Sequence, residues 1–262
     1  MLGSGNSGGQ RPSRPGRRRN RFALSFDGSN DYVDTGQTNQ AIFRSDFSIG
    51  CWIKPDDGQP AANDYALGGI ESGNTDGFLL QINTNGKITV SFKSNGDPLT
   101  KRTDSAVFSN GAASSWMHLL VVVADANPTT ITIYTNGTEE ASSIVSSQEL
   151  SRTNHRLYEC NDNIWIGAAN ANGSGSSFFA GDIDEFAIWS GALSAAQAAV
   201  VGSKVINLRQ QKGNYGPGPV SKLNQWLRFE EGKGTRLRDR SGKGYHATVN
   251  GASFVKGTPS IR

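Results

Sequence analysis

Apolar and polar positions alternate with period two over most of the chain beyond residue 21. Phe47, Ile49, Cys51 and Ile53 fall on one face of a strand, and Ser48, Gly50, Trp52 and Lys54 on the other. The runs 77–83 and 87–92 flank Thr84-Asn85-Gly86, and the runs 130–135 and 138–145 flank Asn136-Gly137. Asn-Gly supplies the two positive φ angles of a type I′ hairpin turn, so both pairs are predicted to be hairpins. Residues 117–124 are almost wholly apolar and predict a central strand covered on both faces. A single short helix is predicted over 194–201, capped by Ser194 and stopped by Gly202. Before residue 22 the pattern is missing. Gly, Ser, Pro and Arg there cannot bury enough apolar surface to fold alone. Residues 1–21 are therefore expected to be a flexible basic arm, and residues 22–262 the folded body.

Composition agrees with many short strands joined by tight turns: 32 Gly and only 19% charged residues. No apolar run approaches the roughly 18 residues of a membrane helix, and no secretory signal is expected from the Gly- and Arg-rich beginning. The net charge of +3 is segregated. The first 21 residues hold six arginines (Arg11, Arg14, Arg17, Arg18, Arg19 and Arg21) and no acid, so the rest sums to −3. Guanidinium groups fork two donors toward one anion, which makes the arm a partner-binding element for phosphate or carboxylate. Nucleic acid is one such partner, although no aromatic lies among the arginines to stack on bases. An acidic surface of a neighbouring protein subunit is the other. Cys51 falls on the apolar face of its strand and is expected to be a buried free thiol; a bond to Cys160 is left open.

Several segments carry a family resemblance. They are Leu24-Ser-Phe-Asp-Gly-Ser-Asn-Asp-Tyr-Val-Asp-Thr-Gly36, Asp46-Phe-Ser-Ile-Gly-Cys-Trp-Ile-Lys-Pro55, and Ser115-Trp-Met-His-Leu-Leu-Val-Val-Val123 followed by 130–137. Ile164-Trp-Ile-Gly-Ala168 and the run from Gly181 to Gln197 complete the series. In this order they resemble the strands of the laminin-G-like, concanavalin-A-like domains over residues 22–200. The resemblance implies an all-β antiparallel sandwich, a jelly roll, with a short helix and an extended N-terminal arm. Residues 223–235 and 239–254 resemble a segment that the family usually places before its opening strand. Here it comes last, after a Pro/Gly stretch at 213–219. The expectation is that 220–262 is permuted into the same sandwich; the other reading is a truncated second copy.

That permuted order resembles structural proteins of tailed phages and marine viruses. It implies a non-enzymatic virion structural protein, a capsid-surface decoration or accessory protein. Its arm would anchor it to other coat subunits in an oligomeric assembly at the particle surface. The alternative is a lectin-like module for glycan or host-surface attachment, with Trp52, Trp189, Tyr65 and Tyr158 as candidate aromatic platforms. No membrane partner is implied.

The segment Asp182-Ile-Asp-Glu185 is the candidate for an enzymatic site. Glycoside hydrolases on this sandwich carry Glu-x-Asp-x-Glu, with three acids on one strand face. Here position 182 is Asp, position 186 is Phe, and alternation turns Glu185 to the opposite face. No catalytic residue is assigned. The resemblance also raises a structural calcium ion held by Asp27, Asp31, Asp34 and Asp184, against the reading of these acids as turn residues; no metal ligand set is assigned. His118, His155 and His246 show no triad order, and His118 is expected to be structural. The Asn136-Gly-Thr and Asn172-Gly-Ser patterns are read as turns.

Overall fold

A computed structural model of the chain describes residues 20–38, 45–61, 64–70, 77–94, 97–113, 115–124, 130–147, 162–171, 173–203, 208 and 222–259. Its strands begin with β1 (Phe22–Asp27), β2 (Tyr32–Thr38), β3 (Phe47–Pro55), β4 (Asp64–Ile70), β5 (Gly77–Ile82), β6 (Ile88–Ser94) and β7 (Asp97–Thr103). They continue with β8 (Met117–Ala124), β9 (Thr130–Thr135), β10 (Thr138–Glu139), β11 (Ser142–Ser147), β12 (Asn163–Ile166), β13 (Ala169–Ala171), β14 (Ser174–Ser176) and β15 (Ala180–Trp189). Helix α1 (Ala195–Ser203) precedes β16 (Leu223–Leu227), β17 (Arg236–Leu237), β18 (Ala247–Asn250) and β19 (Ser253–Lys256).

The strands form two sheets. The smaller runs β10-β9-β8-β3-β15-β1-β19, with β16 also paired to β15. The larger runs β11-β7-β6-β5-β4-β12-β2-β18-β17, with the β13–β14 hairpin attached to β4. Between them lies the main core. Phe47, Ile49, Cys51 and Ile53 enter it from β3, Leu119, Val121 and Val123 from β8, and Phe78, Leu80 and Ile82 from β5. The outer face of the small sheet carries a second apolar layer. There Leu120, Val122, Ala187, Trp189 and Trp226 pack with Ala198 and Val201 of α1. Two covered faces explain why β8 reads as a continuous apolar run.

Local chemistry sets the elements. Ser194 Oγ accepts from Gln197 N at 3.3 Å while Gln197 Oε1 accepts from Ser194 N at 2.8 Å, a reciprocal capping box that starts α1. Gly202 does not end the helix; it lies inside it, where a Cβ would strike the backbone of Gly137 at 2.6 Å or less. Asn136 and Gly137 both have positive φ, 48° and 80°, as the predicted tight turn requires. The β5–β6 connection differs. Only Gly86 there has positive φ, and Asn83 Oδ1 accepts from Asn85 N and Lys87 N, so a longer Asn-capped loop replaces the two-residue turn. The predicted strand 138–145 is also split. It leaves β9 after Glu139 and resumes as β11 in the other sheet. Glu140 is held at the crossing by Thr135 Oγ1, and its N–H donates to Ile133 O.

The C-terminal residues contribute to both sheets. β16 pairs with β15, β19 with β1, and β18 with β2. Trp226 and Phe229 are consequently buried. Asp239 organises the connecting loop by accepting from the N–H groups of Trp226, Ser241, Gly244 and Tyr245 and from Ser241 Oγ.

Candidate functional site

On the large sheet, Val33 of β2, Ile164 and Ile166 of β12 and Val249 of β18 point into the core. Alternation sends their neighbours outward. Tyr32 and Asp34 thereby meet Asn250 and Thr248 across the β2–β18 ladder, and Trp165 lies opposite Asp34 on the other side. The Tyr32 ring stacks on Trp165 with centroids 3.7 Å apart and planes 13° from parallel. Trp165 is buried, while Tyr32 remains partly exposed. Asn163 Nδ2 donates to Asp34 Oδ1 at 3.0 Å, and Gly36 N donates to the same oxygen at 2.8 Å. These bonds hold the carboxylate beside the ring.

The β13–β14 hairpin folds over one side of this patch. Asn170 fixes it, donating from Nδ2 to Asn163 O and accepting at Oδ1 from Gly173 N. Gly175 lies so close to Trp165 and Phe178 that a Cβ would sit 2.6 Å from the Phe178 ring. The Trp165 indole N–H has no acceptor among the described residues although it is buried.

Farther along the same outer face runs a second polar field. Register sets Gln81, Thr89, Arg102 and Ser143 in one row and Ser91, Thr100 and Ser146 in the next. Ser91 and Thr100 share a hydrogen bond of 3.0 Å, and Arg102 Nε donates to Thr89 Oγ1 at 3.2 Å. No carboxylate among the described residues pairs with Arg102.

The acids of Asp182-Ile-Asp-Glu185 lie on the small sheet, where β15 changes neighbour. Its first half pairs with β1, its second half with β16, and the register on β3 slips between Asp184 and Ala187. Glu185 sits at this bulge with φ of 50°. The sequence reading placed it on the face opposite Asp184, but the bulge turns it to the Trp226 side. There it accepts from Trp226 Nε1 at 2.6 Å and Arg228 Nε at 2.9 Å. Asp184 accepts from Asn20 Nδ2 at 2.7 Å and from Glu185 N at 2.8 Å. Burial pushes Glu185 up to about 7 against the pull of Arg228 and Trp226. Burial, and then the neighbouring Glu185 charge, raises Asp184 well above its ordinary value. Both carboxyls are buried, Glu185 beneath Trp226 and Arg228 of the C-terminal segment and Asp184 against Asn20.

The chain matches the Concanavalin A-like lectin/glucanases superfamily over residues 27–199, more than half its length. It belongs to that superfamily. No curated protein sequence matches it. Solved structures with the lectin fold do. A putative carbohydrate binding protein from Bacteroides ovatus is similar at a TM-score of 0.56 and 18% identity, over 92% of this chain and 61% of that one. The chain thus spans about three fifths of that protein. The CBM40 of the Ruminococcus gnavus IT-sialidase, solved with α2,3-sialyllactose bound, gives 0.54 and 19%, over 69% of this chain and 96% of that one. A heptameric SAP-like pentraxin from Limulus polyphemus gives 0.50 and 13%, over 88% and 94%. At such identities the likeness is one of fold. None of these similarities bears on a virus particle.

Within the lectin fold, the residues singled out from sequence disperse. Trp52 and Trp189 are 8% and 2% exposed and serve packing, not as open platforms. The Tyr65 side chain and Tyr158 lie outside the described residues, as do Arg11, Arg14, Arg17, Arg18 and Arg19. Arg21 is exposed, and its backbone N–H donates to Glu230 Oε1 at 2.7 Å. The four candidate calcium acids do not form a cage. Asp27 and Asp31 cap the β1–β2 turn, Asp34 sits on the large sheet, and Asp184 is on the small one. Among the described residues no group of three or more His, Cys, Asp or Glu is placed to hold a metal. His118 is buried edge-on to Trp52, its Nδ1 without a partner among the described residues, and burial lowers it to about 3. The sequence reading missed Tyr32 as a platform. The signal was present: Tyr32 and Asp34 alternate with Val33, just as Trp165 alternates with Ile164 and Ile166.

Proposed function

We propose that the chain is a non-catalytic carbohydrate-binding module that holds a glycan on the outer face of its large sheet. The partly exposed Tyr32 ring, braced by Trp165 and ringed by Asp34, Asn163, Thr248 and Asn250, carries this reading. A sugar ring has one apolar C–H face and a rim of hydroxyls. An aromatic plate answers the first, and carboxylate, amide and hydroxyl groups answer the second. Rigid backing of the plate keeps the ordering cost of binding small. The sialyllactose bound to one protein of the same fold, and the carbohydrate binding named for another, support the class. A binder is favoured over a hydrolase because Asp184 and Glu185 are buried and engaged, leaving no open pair of carboxylates on that strand.

The test is a glycan array followed by titration calorimetry on the hits. Tyr32→Ala and Asp34→Ala should each weaken binding at least about tenfold, roughly 1.4 kcal/mol. An array without hits, or hits that ignore both substitutions, would sink the assignment.

Charge segregation favours a second, compatible role for the arm. Six arginines ahead of a body that sums to −3 suit anchoring to an acidic surface, such as subunits of a virion or other assembly. Deleting residues 1–21 should then abolish co-sedimentation with that assembly and leave glycan binding intact. Retained co-sedimentation would remove the role.

A further inference from the structure

The outer row that holds the aromatic plate does not end at Asp34. Register carries it from Trp165 of β12 through Asp34 of β2 and Thr248 of β18 to Arg236 on the edge strand β17. Val33, Ala247, Val249 and Leu237 fill the core, so alternation sends Thr248 and Arg236 to the same outer side as Asp34. The alternation persists past the strand: Arg236, Arg238 and Arg240 are exposed, while Leu237 and Asp239 are buried. Arg240 faces Glu231 at 3.8 Å, but no carboxylate among the described residues pairs with Arg236 or Arg238. Residues 231–246 hold five cations (Lys233, Arg236, Arg238, Arg240 and Lys243) against two acids, Glu231 and Asp239, within a body that sums to −3. This cationic edge belongs to the C-terminal segment, beyond residue 199 where the superfamily match ends.

We propose that this edge is an anion subsite of the glycan face, where Arg236, flanked by Arg238, takes the carboxylate or sulfate group of an acidic oligosaccharide whose neighbouring ring lies on Tyr32. The inference rests on the carbohydrate-binding reading above and narrows it to acidic glycans. Spacing carries it. With strands about 4.8 Å apart, the Arg236 backbone lies about 10 Å from that of Asp34 and about 14 Å from that of Trp165. A short oligosaccharide bridges such a span. The side chain between Arg236 and Asp34 in the row is Thr248, small and exposed.

Charge orders the ligand along the row. Asp34, beside the plate, accepts from sugar hydroxyls and repels an anion. Arg236, two strands farther on, attracts one and forks two donors toward it. Together they decide which end of the saccharide rests on the ring. The same Asp34 charge disfavours a nucleic acid strand, whose successive phosphates would have to cross it. The loop beyond Arg238 is fixed in place, because Asp239 accepts from the N–H groups of Ser241, Gly244 and Tyr245. The cations therefore need little ordering when the anion arrives.

The test is an array carrying neutral, sialylated and sulfated forms of the same oligosaccharides, probed with the full chain and followed by titration calorimetry on the best matched set. Acidic forms should bind at least about tenfold more tightly than their neutral parents. Sialylated hits identify a carboxylate as the group held by Arg236, and sulfated hits a sulfate. Arg236→Gln with Arg238→Gln should remove the preference and leave the neutral parents within about twofold of the wild type. Lys256→Gln, a loss of positive charge on the other sheet, should change neither. Neutral parents that bind as tightly as the acidic forms overturn the inference and leave the carbohydrate-binding reading standing, whereas an array without any hit removes both. An acid preference that survives the double variant also overturns it, since the arginines of residues 1–21 then supply the charge. So does a DNA oligomer that binds through Arg236 as tightly as the sugars. Should the double variant fail to fold, Arg236→Gln alone, at an exposed edge position, should still lower the preference; an unchanged preference overturns the inference.

Discussion

Glu185 and Asp184 are adjacent carboxyls buried at a bulge, with one guanidinium, Arg228, paired to Glu185. Their folded values are raised, so the native state keeps protons that the unfolded chain releases. That contribution is complete below about 4.5, the ordinary glutamate range, and is lost as pH rises through about 7. His118 works in the opposite sense: lowered to about 3, it favours the native state increasingly as pH rises toward its ordinary 6.5. Between about pH 4.5 and 6.5 the two effects oppose each other, and beyond 6.5 only the carboxyl loss continues, so the melting temperature should decline there. Thermal melts across pH 6.5–8.5 check this decline. Asp184→Asn should make it shallower. Asp239 shows the other sign. Burial works against its charge, yet the hydrogen bonds from Ser241, Trp226 and Tyr245 hold it below the ordinary value. Asp239→Ala strands those donors and should cost about 2–4 kcal/mol in urea unfolding. Cys51, buried and pushed up to about 12, should resist alkylation until the chain unfolds, as mass spectrometry of the labelled peptide would show.

At the scale of elements, strands were the easiest features to read. In β3 and β8 the core and outer faces separate cleanly by alternation. What the sequence concealed were changes of sheet. Nothing in Glu139-Glu140-Ala141-Ser142 distinguishes a continuing strand from one that crosses to the opposite layer, because both keep a period of two. The bulge at Glu185 was hidden for a related reason: one extra residue moves a side chain to another face without altering composition. The stack of Tyr32 on Trp165 joins residues far apart in the chain, and only the ladder β2–β12 brings them together. The C-terminal strands depend on partners made earlier in the chain. β16 lays Trp226 into the outer apolar layer and gives Arg228 to Glu185. Trp226→Ala should cost about 3–5 kcal/mol. Truncation after residue 221 should abolish cooperative unfolding, which a calorimetric scan would reveal.

For the whole molecule, the two sheets divide the labour. The small sheet is capped on its outer side by α1 and the C-terminal segment, while the large sheet keeps polar groups on its outer side. β1 and β19 lie side by side with Phe22 opposite Lys256, and Thr258 Oγ1 donates to Asn20 O. The chain thus enters and leaves the sandwich at one spot. If the module is pulled through those two points, tension does not load all the β1–β19 bonds in parallel. It peels them one after another, like a zip opened from the tab. In a single-molecule pulling experiment the C-terminal strand should come away first and at low force, a mechanical fuse in front of an otherwise well-packed body.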